Sequence, residues 1–382
     1  MFDLSLQFLA NDFRLPGESC NGAYPLKVLF CERCTLAQLS VVVDPATLYG
    51  NYLYVTSKSK TMMDHFHALW SEIKEESPSA CYVAEIGSND GEFLLHAQSR
   101  GAKFIVGIEP AENLAEISRM RGVPTHNEMF GESEGFMIGP DDKRPHVIVA
   151  RHVFAHVSNW HCFISNLTDI SSENTLVVIE APYALDTLQR CEFDQVYHEH
   201  LSFLSLHAMA ALLKDSPFQM HKVLRFPIHG GAIAIFLRRR DSGIAPHDSV
   251  QEMLTQERIT IDDWEDFECK ACSKIKELIY EVYESKREGK RVAAFGASAK
   301  STVWINACGF TSNDIAFICD NTPQKQGRLS PGSDIPVVPE SHLTRENADV
   351  VINFAWNFHL EVKEKLKWWI DEDHQLLNPH EL

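Results

Sequence analysis

Between residues 193 and 203 the chain reads Phe-Asp-Gln-Val-Tyr-His-Glu-His-Leu-Ser-Phe, a dense supply of groups that hand protons on. Tyr197, Glu199 and His200 can act as acids or bases near neutrality, histidine with the least tuning because its unperturbed pKa is about 6.5. The pair His198 and His200 with Glu199 between them could instead ligate a metal, although zinc asks for three or four converging ligands. A satisfied structural cluster is the third reading. Another histidine, His156, closes the run Arg151-His152-Val153-Phe154-Ala155-His156.

A second constellation is Glu85-Ile86-Gly87-Ser88-Asn89-Asp90-Gly91, with Glu109-Pro110 further on. Glycines at such a turn let backbone approach a ligand closely. An acid at the end of the next strand can accept hydrogen bonds from both ribose hydroxyls of a nucleoside. A dinucleotide's pyrophosphate asks for G-x-G-x-x-G at a helix N-terminus, whereas this turn is G-x-x-x-G and carries Asp90 to oppose it. Glu85 and Asp90 suit the cationic sulfonium and amino groups of S-adenosylmethionine (SAM). The cofactor candidates are therefore Glu85, Gly87, Ser88, Asn89, Asp90, Gly91, Glu109, Asn113 and Arg151. The plainer alternative is that the two glycines only shape a turn.

These groups need a frame. Short apolar runs at 82–86, 104–108, 146–150 and 175–179 alternate with helical patterns such as 112–121. That alternation is the sign of a parallel sheet with helices on its faces. Ligands of such sheets bind beyond the carboxyl ends of the strands. His156 follows the third run, and Tyr197 to His200 follow Glu180-Ala181-Pro182-Tyr183 after the fourth, so both fall on the cofactor edge. Runs at 223–227 and 232–238 straddle Gly230-Gly231 as a hairpin. A polar, acidic stretch (239–266) and a long helix (266–288) lead to a second strand–helix series at 291–295, 315–319 and 349–354. There Gly296, Ser298 and Lys300 open a helix and can cradle a diphosphate, unless the unit serves only to pack. Asn321, Lys325, Trp356 and Asn357 join them as substrate candidates.

The expected fold is α/β: a doubly wound SAM-binding Rossmann-like domain (66–245), a C-terminal α/β domain (246–382) and a small irregular N-terminal module (1–65). A formal charge of −18 argues against nucleic acid as partner. No apolar run reaches the roughly eighteen residues of a membrane span. The opening Met1-Phe2-Asp3-Leu4 lacks the basic start of a signal peptide, and the ten cysteines are scattered, which together predict a cytoplasmic protein.

The order of motifs resembles the sugar C-methyltransferases that act on nucleotide-linked 4-keto-deoxysugars. The likeness runs nearly end to end. It rests on Leu9-Ala10-Asn11-Asp12-Phe13, Cys31-x-x-Cys34, Tyr52-Leu53-Tyr54, the 85–91 turn, the 193–200 segment, His229-Gly230-Gly231, Phe295 to Lys300, Asp320-Asn321-Thr322-Pro323 with Lys325, and Ala355-Trp356-Asn357-Phe358. The resemblance implies a monomer with a zinc-binding N-terminal module, a SAM domain and a C-terminal domain that closes on the sugar nucleotide. It implies that His200 is the base, with Tyr197, Glu199 and His156 beside it, and that Tyr52 or Tyr54 reaches the substrate, joined by His152, His229 and Gly230. The methyl acceptor would be the ring carbon next to the keto group, reached through an enolate.

Two departures stand out. His152 replaces the asparagine common in that position. The family's first C-x-x-C pair, expected ahead of the Leu9 segment, is absent, so Cys31 and Cys34 supply two of four zinc ligands, and two thiolates do not close a tetrahedral site. Either the start is truncated or the metal has been lost. The competing readings are an NAD-dependent nucleotide-sugar dehydrogenase, which shares the fold and the ribose-binding acid, and a non-catalytic nucleotide-sugar binding protein.

Overall fold

The structure, a computed structural model, describes residues 2–49, 59–132, 135, 138 and 143–382. Residues 3–39 of the N-terminal part include strands rather than irregular structure alone. Strands Asp3–Phe8 (β1), Ala23–Phe30 (β2) and Ala37–Leu39 (β3) form an antiparallel ribbon. Such a small sheet needs a surface to bury its apolar side chains. Phe2, Leu26 and Val28 find it in a core shared with Trp264, Phe267 and Trp304 of the C-terminal half.

The central sheet is built from Tyr82–Ile86 (β4), Phe104–Ile108 (β5), Thr125–His126 (β6), Val147–Arg151 (β7) and Leu176–Pro182 (β8). Ser202–Phe203 (β9) leaves to pair with β3, and Phe218–Phe226 (β10) with Ala232–Arg239 (β11) adds the hairpin. The order is β10-β11-β8-β7-β4-β5-β6, parallel except for the hairpin. Side chains alternate across it. Ala84, Ile86, Ile148, Ala150, Val177 and Ile179 fill one core, and Val83, Val147, Val149, Leu176 and Val178 the other. By the same alternation Glu85, Arg151 and Glu180 point to the second face, beneath the helix Lys60–Glu76.

That helix starts where Ser59 accepts the amide N–H of Met62, and it buries Met62, Phe66, Leu69, Trp70 and Ile73 on the sheet. It runs straight through residue 65, where a boundary was expected. The helix Asp248–Gln256 likewise returns Val250 to the central core. At Thr260 a capping box with Asp263 opens the 27-residue helix Ile261–Arg287.

Beyond it Val292–Phe295 (β12), Ile318–Cys319 (β13), Val337–Val338 (β14), Val350–Asn353 (β15) and Gln375–Leu377 (β16) form a parallel sheet ordered β14-β13-β12-β15-β16. Each sheet reverses its winding once, between β4 and β7 and between β12 and β15, and crevices for ligands open at such points. Among the described residues no helix is long and apolar enough to cross a membrane.

Candidate active site

At the end of β4 the chain turns through Gly87 (φ 66°), Asn89 (φ 49°) and Gly91 (φ 79°), and Gly91 precedes the helix Glu92–Ser99. A Cβ at Gly87 would collide with the Val153 side chain, and one at Gly91 with Ser118 and Val123. Glycine is required here by conformation and by space. Glu109 braces the turn: its Oε2 accepts the Asn89 amide at 2.8 Å and its Oε1 the Ala111 amide at 3.0 Å. Each oxygen keeps a second lone pair, and Glu109 stands in the cavity wall with Gly87 and Asn89. Burial pushes its carboxyl up to about 6 against those two amides.

Glu85 and Asp90 act differently from the expectation. Neither lines the cavity. Arg151 donates from Nε (2.9 Å) and a terminal nitrogen (2.7 Å) to Glu85 Oε1, while its guanidinium lies 4.5 Å from both the Phe66 and Phe93 ring centres. Asp90 is tied to Arg121 at 2.5 Å. Each acid thus has an arginine partner within the protein. Arg151 reaches the cavity; buried Ser88 and exposed Asn113 do not.

The 193–200 segment holds its side chains by separate partners. Tyr197 donates its phenolic O–H to His200 Nε2 at 2.7 Å, and His200 Nδ1–H donates to Gln195 O at 2.8 Å. The carbonyl fixes the tautomer, leaving a lone pair on Nε2. The His156 ring stands perpendicular to His200 at 5.1 Å between centroids. Burial holds His200 well below the usual histidine range, with His156 adding to it, and holds His156 down to about 4. His198 turns to the Tyr24 carbonyl (3.3 Å), and Glu199 accepts from the Asn11 amide group (2.7 Å). The ligand atoms of His198, Glu199 and His200 therefore do not converge on one metal position.

One cavity of about 350 Å³ joins these parts. Its wall runs from Gly87, Asn89 and Glu109, past Arg151, His156, Tyr197 and His200, to Ser298, Lys300 and Asn357 of the C-terminal domain. Ser298 caps the helix Ala299–Cys308, and Lys300 Nζ lies 4.2 Å from the Trp356 ring centre while donating to His229 O at 3.3 Å. Apolar residues such as Met62, Val153, Val157 and Phe130 complete the wall at the cofactor end. A turn with no room for Cβ and an acid with spare acceptors fit the adenosine of SAM.

Comparison with known proteins gives the same answer from outside. Models of a methyltransferase domain and a C-methyltransferase C-terminal domain match residues 57–223 and 227–379, and a zinc-binding domain model matches 1–49. C-methyltransferase NovU from Streptomyces niveus is 29% identical over 365 residues, 93% of this chain and 86% of NovU. The chain belongs to the SAM-dependent C-methyltransferases. Among solved structures, magnesium protoporphyrin IX methyltransferase from Synechocystis with bound SAM is similar at TM-score 0.36 and 9% identity, over 49% of this chain and 88% of that one. The PH0226 protein from Pyrococcus horikoshii is similar at TM-score 0.39 and 10% identity, over 49% and 95%. At such scores both likenesses are remote.

In this C-methyltransferase two more expected residues face the cavity, His152 and His229, with rings perpendicular at 4.9 Å and both at positive φ (52° and 53°). His152 Nε2 lies 3.1 Å from Glu180 Oε1, and Glu180 Oε2 accepts from His65 at 2.8 Å. Gly230 stands behind, because a Cβ there would strike Glu192. Exposed Asn321 is off the wall, and Lys325 is buried donating to Ala297 O at 2.7 Å. Trp356 supports Lys300 from outside the wall. Tyr52 and Tyr54 lie outside the described residues.

Sequence reading missed Gln195, whose carbonyl orients His200, and Asn11, which holds Glu199. Both lie inside motifs already singled out, but a carbonyl's partner has no residue signature. Zinc does not fit the residues present at the Cys31–Cys34 turn. Cys31 and Cys34 follow β2 on an accessible turn, and no third Cys, His, Asp or Glu joins them in a ligand group among the described residues.

Glu109→Ala is expected to weaken SAM binding about 10- to 100-fold, the loss of charge-assisted hydrogen bonds worth about 1.5–3 kcal/mol. Calorimetric titration checks it, with circular dichroism to confirm the fold. Unchanged affinity would remove Glu109 from the site.

Proposed function

We propose that this enzyme methylates the carbon next to the keto group of a nucleotide-linked 4-keto-deoxysugar through an enolate, with His200 as the base. The observation that carries the reading is the Tyr197–His200 pair in the cavity wall, between the Glu109 turn and the Ser298–Lys300 helix start. A ketone acidifies the C–H bond beside it. The electron pair of that bond moves toward the keto oxygen, and the proton goes to His200 Nε2, whose lone pair Tyr197 gives up as its O–H turns to the developing oxyanion. His156 is the second donor within reach. Lys300 and the helix beginning at Ala299 hold the diphosphate and so align the sugar. The enolate's electron pair would form the new C–C bond to the methyl group that bound SAM supplies, the methyl–sulfur bond breaking to leave a neutral thioether and the ketone being restored. His200 then releases its proton to solvent, through Tyr197 or directly.

The identity of the acceptor is tested by offering nucleotide-linked 4-keto-deoxyhexoses with SAM and following the product mass. Gain of one methyl on the ring carbon supports the reading. Transfer to oxygen or nitrogen, or hydride transfer with NAD, overturns it.

The pH dependence follows from burial. His200 works as a neutral imidazole, and its folded pKa lies well below 6.5, displaced by burial and then by His156, His152 and Lys300. The base is thus already fully neutral at pH 6.5 and is lost only as pH falls through that lower value. The acid limb of substrate proton exchange is expected below pH 6.5; an inflection at or above it would assign the base elsewhere.

A further inference from the structure

Away from the cavity, Glu76 at the end of the helix Lys60–Glu76, His221 on the edge strand β10 and His247 before the helix Asp248–Gln256 bring one ligand atom each within 4.8 Å of one another. None of the three lines the cavity. We propose that Glu76, His221 and His247 form a binding site for a divalent transition ion of the zinc class, a structural site that ties the edge of the SAM domain to the segment leading out of it.

Three observations converge. The first is a mismatch of donors. His221 presents Nδ1 to the Ala245 carbonyl at 3.0 Å and Nε2 to Glu76 Oε2 at 2.8 Å, and both partners are acceptors. A neutral imidazole carries one N–H and satisfies one of them, so the two acceptors are matched either by an imidazolium or by a cation on one nitrogen. With the proton on Nδ1, a cation on Nε2 satisfies the other. A metal-bound histidine typically has this arrangement, with its second ring N–H held by a backbone carbonyl.

The second observation is geometry. Two ligands about 2.0–2.2 Å from a common zinc stand roughly 3.2–3.6 Å apart in a tetrahedron. Glu76 Oε1 is 3.7 Å from His247 Nε2, and the Glu76–His221 separation needs to open only by a few tenths of an ångström. His221 is buried, Glu76 nearly so, and His247 half exposed, so water can complete the shell. The His247 amide donates to the His221 carbonyl at 2.7 Å, which fixes the two histidines against each other.

Charge is the third. Lys222 Nζ binds Glu72 and Glu76 (2.9 Å each) and lies 3.7 Å from Glu75, while Arg238 donates to the carbonyls of Asn174 and Glu76. Three carboxylates face two cations, leaving negative charge beside the two imidazoles. Two nitrogens and a carboxylate favour zinc, nickel or copper over magnesium or calcium.

The test uses ZnCl2 on chelator-treated full-length protein carrying Cys31→Ser and Cys34→Ser, so that no thiolate of that pair competes. One equivalent of zinc is expected to bind and to raise Tm by a few degrees. Cobalt in its place is expected to give ligand-field bands without sulfur charge-transfer absorption. His247→Ala, a half-exposed position that leaves the fold in place, is expected to abolish binding and to retain methyl transfer. Absence of a zinc equivalent in the cysteine-free background, zinc binding undiminished in His247→Ala, or a thiolate signature with cobalt would each overturn the site.

Discussion

His200→Asn is expected to abolish exchange of the acceptor's ring proton in deuterated water while leaving SAM binding intact. Exchange needs only the base and the ketone, so it proceeds without SAM and isolates enolisation from methyl transfer. The substitution keeps a polar side chain of similar size, but asparagine has no lone pair basic enough to take a carbon-bound proton. Removal of a general base costs about 10²- to 10⁴-fold, and turnover is expected to fall with exchange. The Tyr197 hydroxyl, which donates to His200 Nε2 at 2.7 Å, keeps its place beside an amide. Tyr197→Phe separates the two roles: it leaves the base and removes a donor to the oxyanion, so proton exchange is expected to slow by less than in His200→Asn. Exchange at the parental rate in His200→Asn would move the base to His156.

Asp194→Ala is expected to cost about 3–5 kcal/mol of stability, the usual consequence of stripping a buried carboxylate from its partners. Asp194 is fully buried, and its Oδ2 takes three donors from three segments: Trp304 Nε1 (3.1 Å), Trp356 Nε1 (2.6 Å) and His380 Nε2 (3.3 Å). Burial alone would raise its carboxyl, yet His380, Lys300 and Trp356 bring it below the usual aspartate range. Without it two indole N–H groups lose their acceptor, and half-buried Lys300 loses its largest compensating charge. The loss is read as a shift of the urea midpoint at unchanged m-value. Asp194→Asn, which keeps an acceptor oxygen for the indoles, is expected to lose less than half as much. Because Trp356 supports Lys300, the alanine variant should also raise KM for the sugar nucleotide and leave SAM affinity unchanged. A midpoint within about 0.5 kcal/mol of the parent would show that the three donors are satisfied elsewhere.

Sequence alone determined the frame and the inventory of the site. Short apolar runs located β4, β5, β7, β8 and the β10–β11 hairpin to within a few residues, because a strand buried on both faces must be apolar whatever its neighbours are. The glycines at 87 and 91 were legible because a tight turn against a packed side chain admits no Cβ. Tyr197 and His200 stood out by residue type, and the strands preceding them put them on the cofactor edge. Tertiary structure decided partners and charge. Glu85 and Asp90 read as acids waiting for a cation, but Arg151 and Arg121 come from distant parts of the chain, and no local pattern announces them. The N-terminal strands were missed because their apolar side chains are few and face the C-terminal domain, so only the assembled core shows why they are strands. The helix through residue 65 was not legible for a related reason: it is defined by what Phe66, Leu69 and Trp70 pack on. Asp194 lay unremarked in a motif read for its histidines, since three donors meet on one carboxylate only when residues 194, 304, 356 and 380 come together.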